Sequence, residues 1–192
     1  MAKRSEFKPD KPRSGLLSKL YLTRLQRRAL LKWVLYALIL VGLSVLQDVV
    51  LCRVRIFGAT TDLIPAAIFC ICVLEQMHRG SLFSLVASIV YLFSKSSLGP
   101  YIIVFITVLA VLVTFFRQSY LQAGFSATAL CVVAATVLYE LALFCMGLFL
   151  GLTTFARIGA FFLTAVLSAA AALALYPVFL AIGRIGGQQW KE

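Results

Sequence analysis

Carboxylates and histidine are scarce in this chain: its 192 residues include seven Asp and Glu and a single His. No GxSxG elbow, HExxH helix or phosphate-cradling GxxxxGKS/T loop occurs, so the common hydrolase, metalloprotease and nucleotide-binding chemistries lack their residues. Hydrolysis or a proton relay inside a membrane needs acids and bases set together within the spans, and no such pair is present. The five cysteines include Cys70, Cys72, Cys131 and Cys145 in apolar runs. With no CxxC or His–Cys pairing to hold zinc, they read as small hydrophobes. The expectation is a protein that is not an enzyme and carries no cofactor or metal.

Apolar residues are what the chain has in abundance. It is 62% hydrophobic with a mean hydropathy of +0.99, against about 45–50% apolar content in soluble domains. A bilayer core of about 30 Å takes about 20 apolar residues per helix, so the length suits several spans and little else. The class expected is an all-α integral membrane protein, a six-helix transmembrane bundle. The predicted spans are residues 31–51, 63–77, 81–94, 101–116, 125–150 and 158–182, within a transmembrane domain of 31–183. A basic segment, 1–30, precedes it and a short tail, 184–192, follows. His78-Arg79-Gly80 divides the second span from the third, and KSSLGP ends the third, because Pro100 disfavours helix at the residue before it and Gly99 is permissive. The second and third spans are short.

The net charge of +11 comes largely from the start of the chain, where ten of the eighteen Lys and Arg lie between Lys3 and Lys32. In front of apolar spans such a segment reads as a solvated leader attracted to anionic lipid, not as a nucleic-acid surface. It is too long and too charged for a signal peptide and is followed by no small-residue cleavage site, so the first helix is expected to stay as an anchor. Lys32, Trp33 and Tyr36 are assigned to the interface. Six helices put both ends on one side. That side carries fourteen Lys and Arg, counting the leader, Arg79, Arg117, Arg184 and Lys191, against Arg53, Arg55, Lys95 and Arg157 on the other. Positive charge marks the cytoplasmic face, so both termini are expected there.

Each remaining charge has a modest reading beside a functional one. Asp62 stands before the second helix, where a carboxylate accepts from exposed backbone N–H groups, with Pro65 in the first turn. Glu75 and Arg79 have the i, i+4 spacing of a helical ion pair and form, with His78, a cluster at the membrane boundary. Asp48 is near the outer end of the first helix, seven residues before Arg55, as a boundary pair or a partner contact. Glu140, next to Tyr139, lies fifteen residues into its span. A central acid costs about 2.5–3.5 kcal/mol to insert, so it faces protein or a cavity, either as a buried structural hydrogen bond or as a contact to a partner, proton or ligand. Gly147 and Gly151, with Ala165 and Ala169, are spaced for close helix packing, and Pro177 is expected to kink the last helix.

The order of short motifs resembles a known family. LQD closing the first helix, FGATTDL opening the second, MHRG before the third, SSLGPY before the fourth and YEL within the fifth are similar to MreD, the rod-shape-determining membrane proteins, over roughly Leu35 to Leu180. In that likeness Asp62-Leu63 opens helix two, Gly80 is the turn glycine and Leu98-Gly99 precedes helix four. Thr61 stands where many relatives carry Pro, and Tyr91 where many carry Asp. The resemblance implies a non-catalytic scaffold of cell elongation in the bacterial inner (plasma) membrane. It would act in cell shape and peptidoglycan synthesis, binding the single-span protein MreC and, directly or through it, MreB, the glycosyltransferase RodA and its class B penicillin-binding partner. It also implies a fold similar to the substrate-binding S components of energy-coupling-factor vitamin transporters, and such a vitamin-capturing subunit is the alternative function.

Overall fold

The computed structural model describes residues 24–51, 53, 59–94, 99–120 and 124–185. Six α-helices carry nearly all of them: α1 Arg24–Leu46, α2 Leu63–Leu74, α3 Met77–Ser94, α4 Tyr101–Tyr120, α5 Phe125–Phe149 and α6 Ile158–Ile185. A π-helical turn, Gln47–Leu51, prolongs α1, and a 3-10 turn, Phe155–Arg157, leads into α6. Four segments are long and apolar enough to cross a membrane: Gln26–Leu51, Tyr101–Tyr120, Phe125–Phe149 and Phe155–Ile185. Among the described residues the chain is all-helical, with the long apolar helices of a membrane protein.

Its centre is α2, which touches each of the other five helices. Every residue of LIPAAIFCICV is buried, as expected of a helix that is apolar on all sides. At 12 residues it is about 18 Å long, well short of a bilayer core of about 30 Å. Both its ends therefore finish inside protein, where backbone groups lack water and need partners from other helices.

Several boundaries differ from those expected of the sequence. The break between the second and third helices falls at Glu75 and Gln76, not at His78-Arg79-Gly80, so α2 ends at Leu74 and α3 starts at Met77. Glu75 adopts extended backbone, φ −97° and ψ 169°. Gly80 is accordingly not a turn residue but lies in the first turn of α3, where a Cβ would come within 3.3 Å of the Cys72 carbonyl oxygen and 3.4 Å of its Cα. The Cys72 thiol donates to the Gly80 carbonyl at 3.3 Å. Gly80 thus lets α3 start directly against α2.

Helix α1 already includes Arg24, before the apolar run, and no Gly or Pro interrupts the sequence from there to Leu31. In the same way α4 continues through Arg117 to Tyr120. Gly99 has a left-handed φ of +72°, which opens the turn into α4. The basic leader before Arg24, Arg55, Leu98 and the tail beyond Ile185 lie outside the described residues.

Candidate functional site

The polar residues of the bundle gather at the two ends of α2. At its N-terminal end Asp62 is 3% exposed, yet its carboxylate makes no capping bond to its own helix. That corrects the expectation of a self-cap. Gln47, which the π-helical turn of α1 carries, does the capping. Its Oε1 accepts from the backbone N–H of Leu63 at 2.9 Å and of Ile64 at 3.2 Å. Its Nε2 donates to Asp62 Oδ1 at 2.9 Å. The Asp62 carboxylate also accepts the Tyr91 hydroxyl, 2.8 Å from each oxygen, and its backbone N–H donates to Ser168 Oγ at 2.8 Å. Helices α1, α2, α3 and α6 thus meet on one acid. Asp62 can turn to Tyr91 because a neutral amide, able to donate and accept at once, serves the exposed N–H groups.

Tyr139 of α5 reaches the same place. It is 1% exposed and stands edge-on to Phe69, with centroids 6.0 Å apart. It lies in the electrostatic field of Asp62 and next to the Tyr91 hydroxyl, with which its own hydroxyl makes no well-formed hydrogen bond. Asp48, one residue past Gln47, is exposed on the other side of the π-helical turn. The structure therefore brings Asp62 and Tyr139 together and leaves Asp48 apart.

At the C-terminal end of α2, Glu75 is paired with Lys32 of α1, both side chains nearly sealed at 4% and 6% exposure. Tyr36 donates its hydroxyl to Glu75 Oε1 at 3.1 Å and lies 3.3 Å from the Phe179 carbonyl of α6. The expected Glu75–Arg79 pair is corrected, because the break at Glu75 and Gln76 destroys the helical spacing it needed. His78 and Arg79 are exposed while Glu75 turns inward. Lys32 and Tyr36, expected at the interface, are instead buried at 5% and 0% exposure. Two side chains of α4 complete the end of α2: the Arg117 guanidinium donates to the Val73 carbonyl at 2.6 Å and Gln118 to the Glu75 carbonyl at 3.3 Å. A cation on the last carbonyls suits the negative end of a helix dipole. Gln47 and Arg117 carry no mark of a site residue in the sequence, since only the tertiary contacts reveal their role. An amide beside an acid in the LQD motif is the one available hint.

Glu140 is 5% exposed and is one of the residues around a cavity of about 150 Å³ between α5 and α6, with Phe144, Phe161, Phe162 and Ala165. Ala165, Ser168, Ala169 and Ala172 form the buried face of α6. Gly147 and Gly151 do other work than helix packing. Leu152 N–H bonds to the Gly147 carbonyl at 2.8 Å and Gly151 N–H to Leu148 at 3.1 Å, the double bond pattern of a Schellman stop. Gly151 takes the left-handed φ of +69° that this turn needs. At Gly147 a Cβ would meet Thr153 Cγ2 at 3.0 Å, a residue of the same turn.

The chain matches no family model, no curated protein and no solved structure.

Proposed function

We propose that the chain is a non-catalytic membrane scaffold of the bacterial cell-elongation machinery, of the MreD kind. It would reside in the inner membrane with both termini cytoplasmic, its basic leader drawn to anionic lipid. Its partners would be an MreC-like single-span protein, RodA with a class B penicillin-binding protein, and MreB indirectly. The observation that carries this reading is the use made of the buried polar groups. Asp62, Gln47, Tyr91 and Ser168 at one end of α2, and Lys32, Glu75 and Arg117 at the other, bind one another and the helix ends. Such groups stiffen a body that presents surfaces to partners. Glu140, beside the cavity between α5 and α6, is the partner contact proposed within it.

The alternative, a vitamin-capturing subunit, has less room. The cavity beside Glu140 holds about 150 Å³ and a second, between α1 and α3, about 210 Å³, whereas small-molecule sites span roughly 300–1,000 Å³. Copurification in mild detergent under native expression tests the scaffold. Recovery of an MreC-like or RodA-like protein is expected, with Glu140→Ala lowering the yield while membrane insertion stays intact. An empty pull-down, together with a melting temperature raised by a vitamin, would turn the assignment to the transporter subunit.

A further inference from the structure

Asp62 gives the helices a common level. The Tyr91 hydroxyl of α3 bonds its carboxylate, and the Tyr139 hydroxyl of α5 lies beside that of Tyr91. Both helices run antiparallel to α2. Near its C-terminal end, Cys72 meets Gly80 of α3, and Arg117, which holds the Val73 carbonyl, lies near Cys131 of α5. So α3 and α5 are parallel to each other, and long side chains on both lean toward the N-terminal end of their own helix. Two tyrosines that meet at one place therefore measure both helices from the same mark. The helices stand on different sides of α2, since α3 packs against α1 and α4, and α5 against α4 and α6.

From that mark the apolar surface runs very different distances. On α3 the exposed apolar side chains end at Phe93, 84% exposed and two residues past Tyr91, about 3 Å along the helix. Ser94, Lys95, Ser96 and Ser97 follow in the sequence, and none of them extends an apolar surface. On α5 they continue to Phe149, 88% exposed and ten residues past Tyr139, about 15 Å. In the other direction they stop at Leu82 on α3, nine residues from the mark and preceded by exposed His78 and Arg79, and at Phe125 on α5, fourteen residues from it. The apolar band that faces outward is thus about 16 Å tall on α3 and about 36 Å on α5, against a hydrocarbon core of about 30 Å. A helix that is too long fits by tilting, but tilt only lowers further the span of one that is too short. Leaning the whole bundle does not help either, because α3 falls short of α5 at both ends. Enclosure spares α2 this mismatch. Helix α3 meets it directly, with Leu85, Val86, Ile89 and Val90 exposed between Leu82 and Phe93.

We propose that α3 seats a locally thinned bilayer, with lipid headgroups drawn in to Phe93 at the Asp62 end and hydrocarbon of full thickness along α5 on the other side of the molecule. Length selects this occupant. Acyl chains of ordinary depth laid against α3 would cover Arg79 at one end and Ser94 and Lys95 at the other, whereas a thinned layer leaves these polar residues in water or among headgroups. The missing depth is about 14 Å. Most of it falls at the Asp62 end, where the apolar surface of α3 stops about 12 Å short of that of α5. The inference needs only that the chain lies in a membrane and holds whichever partners it binds.

Spin labelling of the full chain in liposomes tests it. Nitroxides are attached one at a time through Leu82→Cys, Val86→Cys and Phe93→Cys on α3 and Phe125→Cys and Phe149→Cys on α5, all at exposed side chains. The background carries Cys52→Ser and Cys145→Ser, so that the other cysteines are buried ones. Depth is read from collisions with oxygen and with a water-soluble nickel chelate, in dioleoyl and in dierucoyl phosphatidylcholine. The Leu82 and Phe93 labels are both expected at headgroup level in both lipids, although only about 16 Å separates them. The α5 pair, about 36 Å apart, is expected there too. The Val86 label should lie only about 6–8 Å down, about half the depth of the middle of an undeformed core of about 30 Å. Two results would overturn the proposal. One is either end label on α3 lying about 7 Å or more below the headgroups and sinking further in the longer lipid, which would mean full hydrocarbon with Arg79 and Lys95 reaching through it. The other is α3 labels screened from oxygen and nickel alike, which would mean that protein and not lipid covers this face.

Discussion

Lys32 near the start of α1 and Glu75 just past the end of α2 form an ion pair with 6% and 4% of their side chains exposed. The Tyr36 hydroxyl bonds the same carboxylate oxygen, and both the Trp33 and Tyr36 rings lie 6.0 Å from the Lys32 ammonium. Taking one partner away strands a charge in a low-dielectric setting. Taking both away removes the problem.

Lys32→Met or Glu75→Leu alone is therefore expected to cost about 3–5 kcal/mol, and the double variant much less than the sum. A double-mutant cycle from thermal or SDS unfolding in detergent measures the coupling. Strictly additive single effects would mean that the pair does not form.

Removing the Tyr91 hydroxyl takes from Asp62 the donor that reaches both of its oxygens, while the neighbouring Tyr139 hydroxyl makes no well-formed hydrogen bond and none to Asp62 is seen. Tyr91→Phe should destabilise by about 1–3 kcal/mol, and Tyr139→Phe should stay within about 0.5 kcal/mol. The same unfolding assay compares them, and equal losses would contradict the arrangement around Asp62.

Gln47→Leu removes the acceptor for Leu63 and Ile64 N–H and a donor to Asp62 together. A loss of about 2–4 kcal/mol is expected, from buried groups at about 1–3 kcal/mol each. Asp48→Ala next to it, on an exposed side chain, should be close to neutral. If the two variants unfold alike, the π-helical turn does not present Gln47 inward.

Gly80→Leu drives a side chain against the Cys72 backbone, where even a Cβ has only 3.3 Å. Overpacking of about 1–3 kcal/mol or more is expected, seen as a lower melting temperature. Gly151→Ala should cost about 1–2 kcal/mol for a different reason. Its φ is +69°, and an added Cβ would stand in open space, so the backbone alone carries the loss. A stabilising Gly80→Leu would show that α3 has room to move from α2.

Apolar runs made the helices readable. The number of long spans and their order follow from stretches such as Tyr101–Tyr120 and Phe125–Phe149, whose composition alone suits hydrocarbon. Burial of Glu140 was also legible, because depth in a span is a matter of counting. The ends of α2 were not. The pairing of Glu75 with Arg79 assumed a continuous helix, and a short break turned the carboxylate toward Lys32. Asp62 had every local mark of a cap, but Gln47 came from a distant part of the chain to take the role. Gly147 and Gly151 share a spacing with packing motifs and with helix stops alike, and the left-handed φ at Gly151 distinguishes the two.

The enclosure of α2 bears on how the chain is made. At 12 residues the segment is too short to halt in a bilayer as an independent span, and the groups that complete its ends arrive later, Arg117 with α4 and Ser168 with α6. During synthesis α2 would wait at the membrane for helices not yet translated. A chain stopped before α6 is therefore expected to be recognised as unfinished and degraded, even though most of its apolar length has already been inserted.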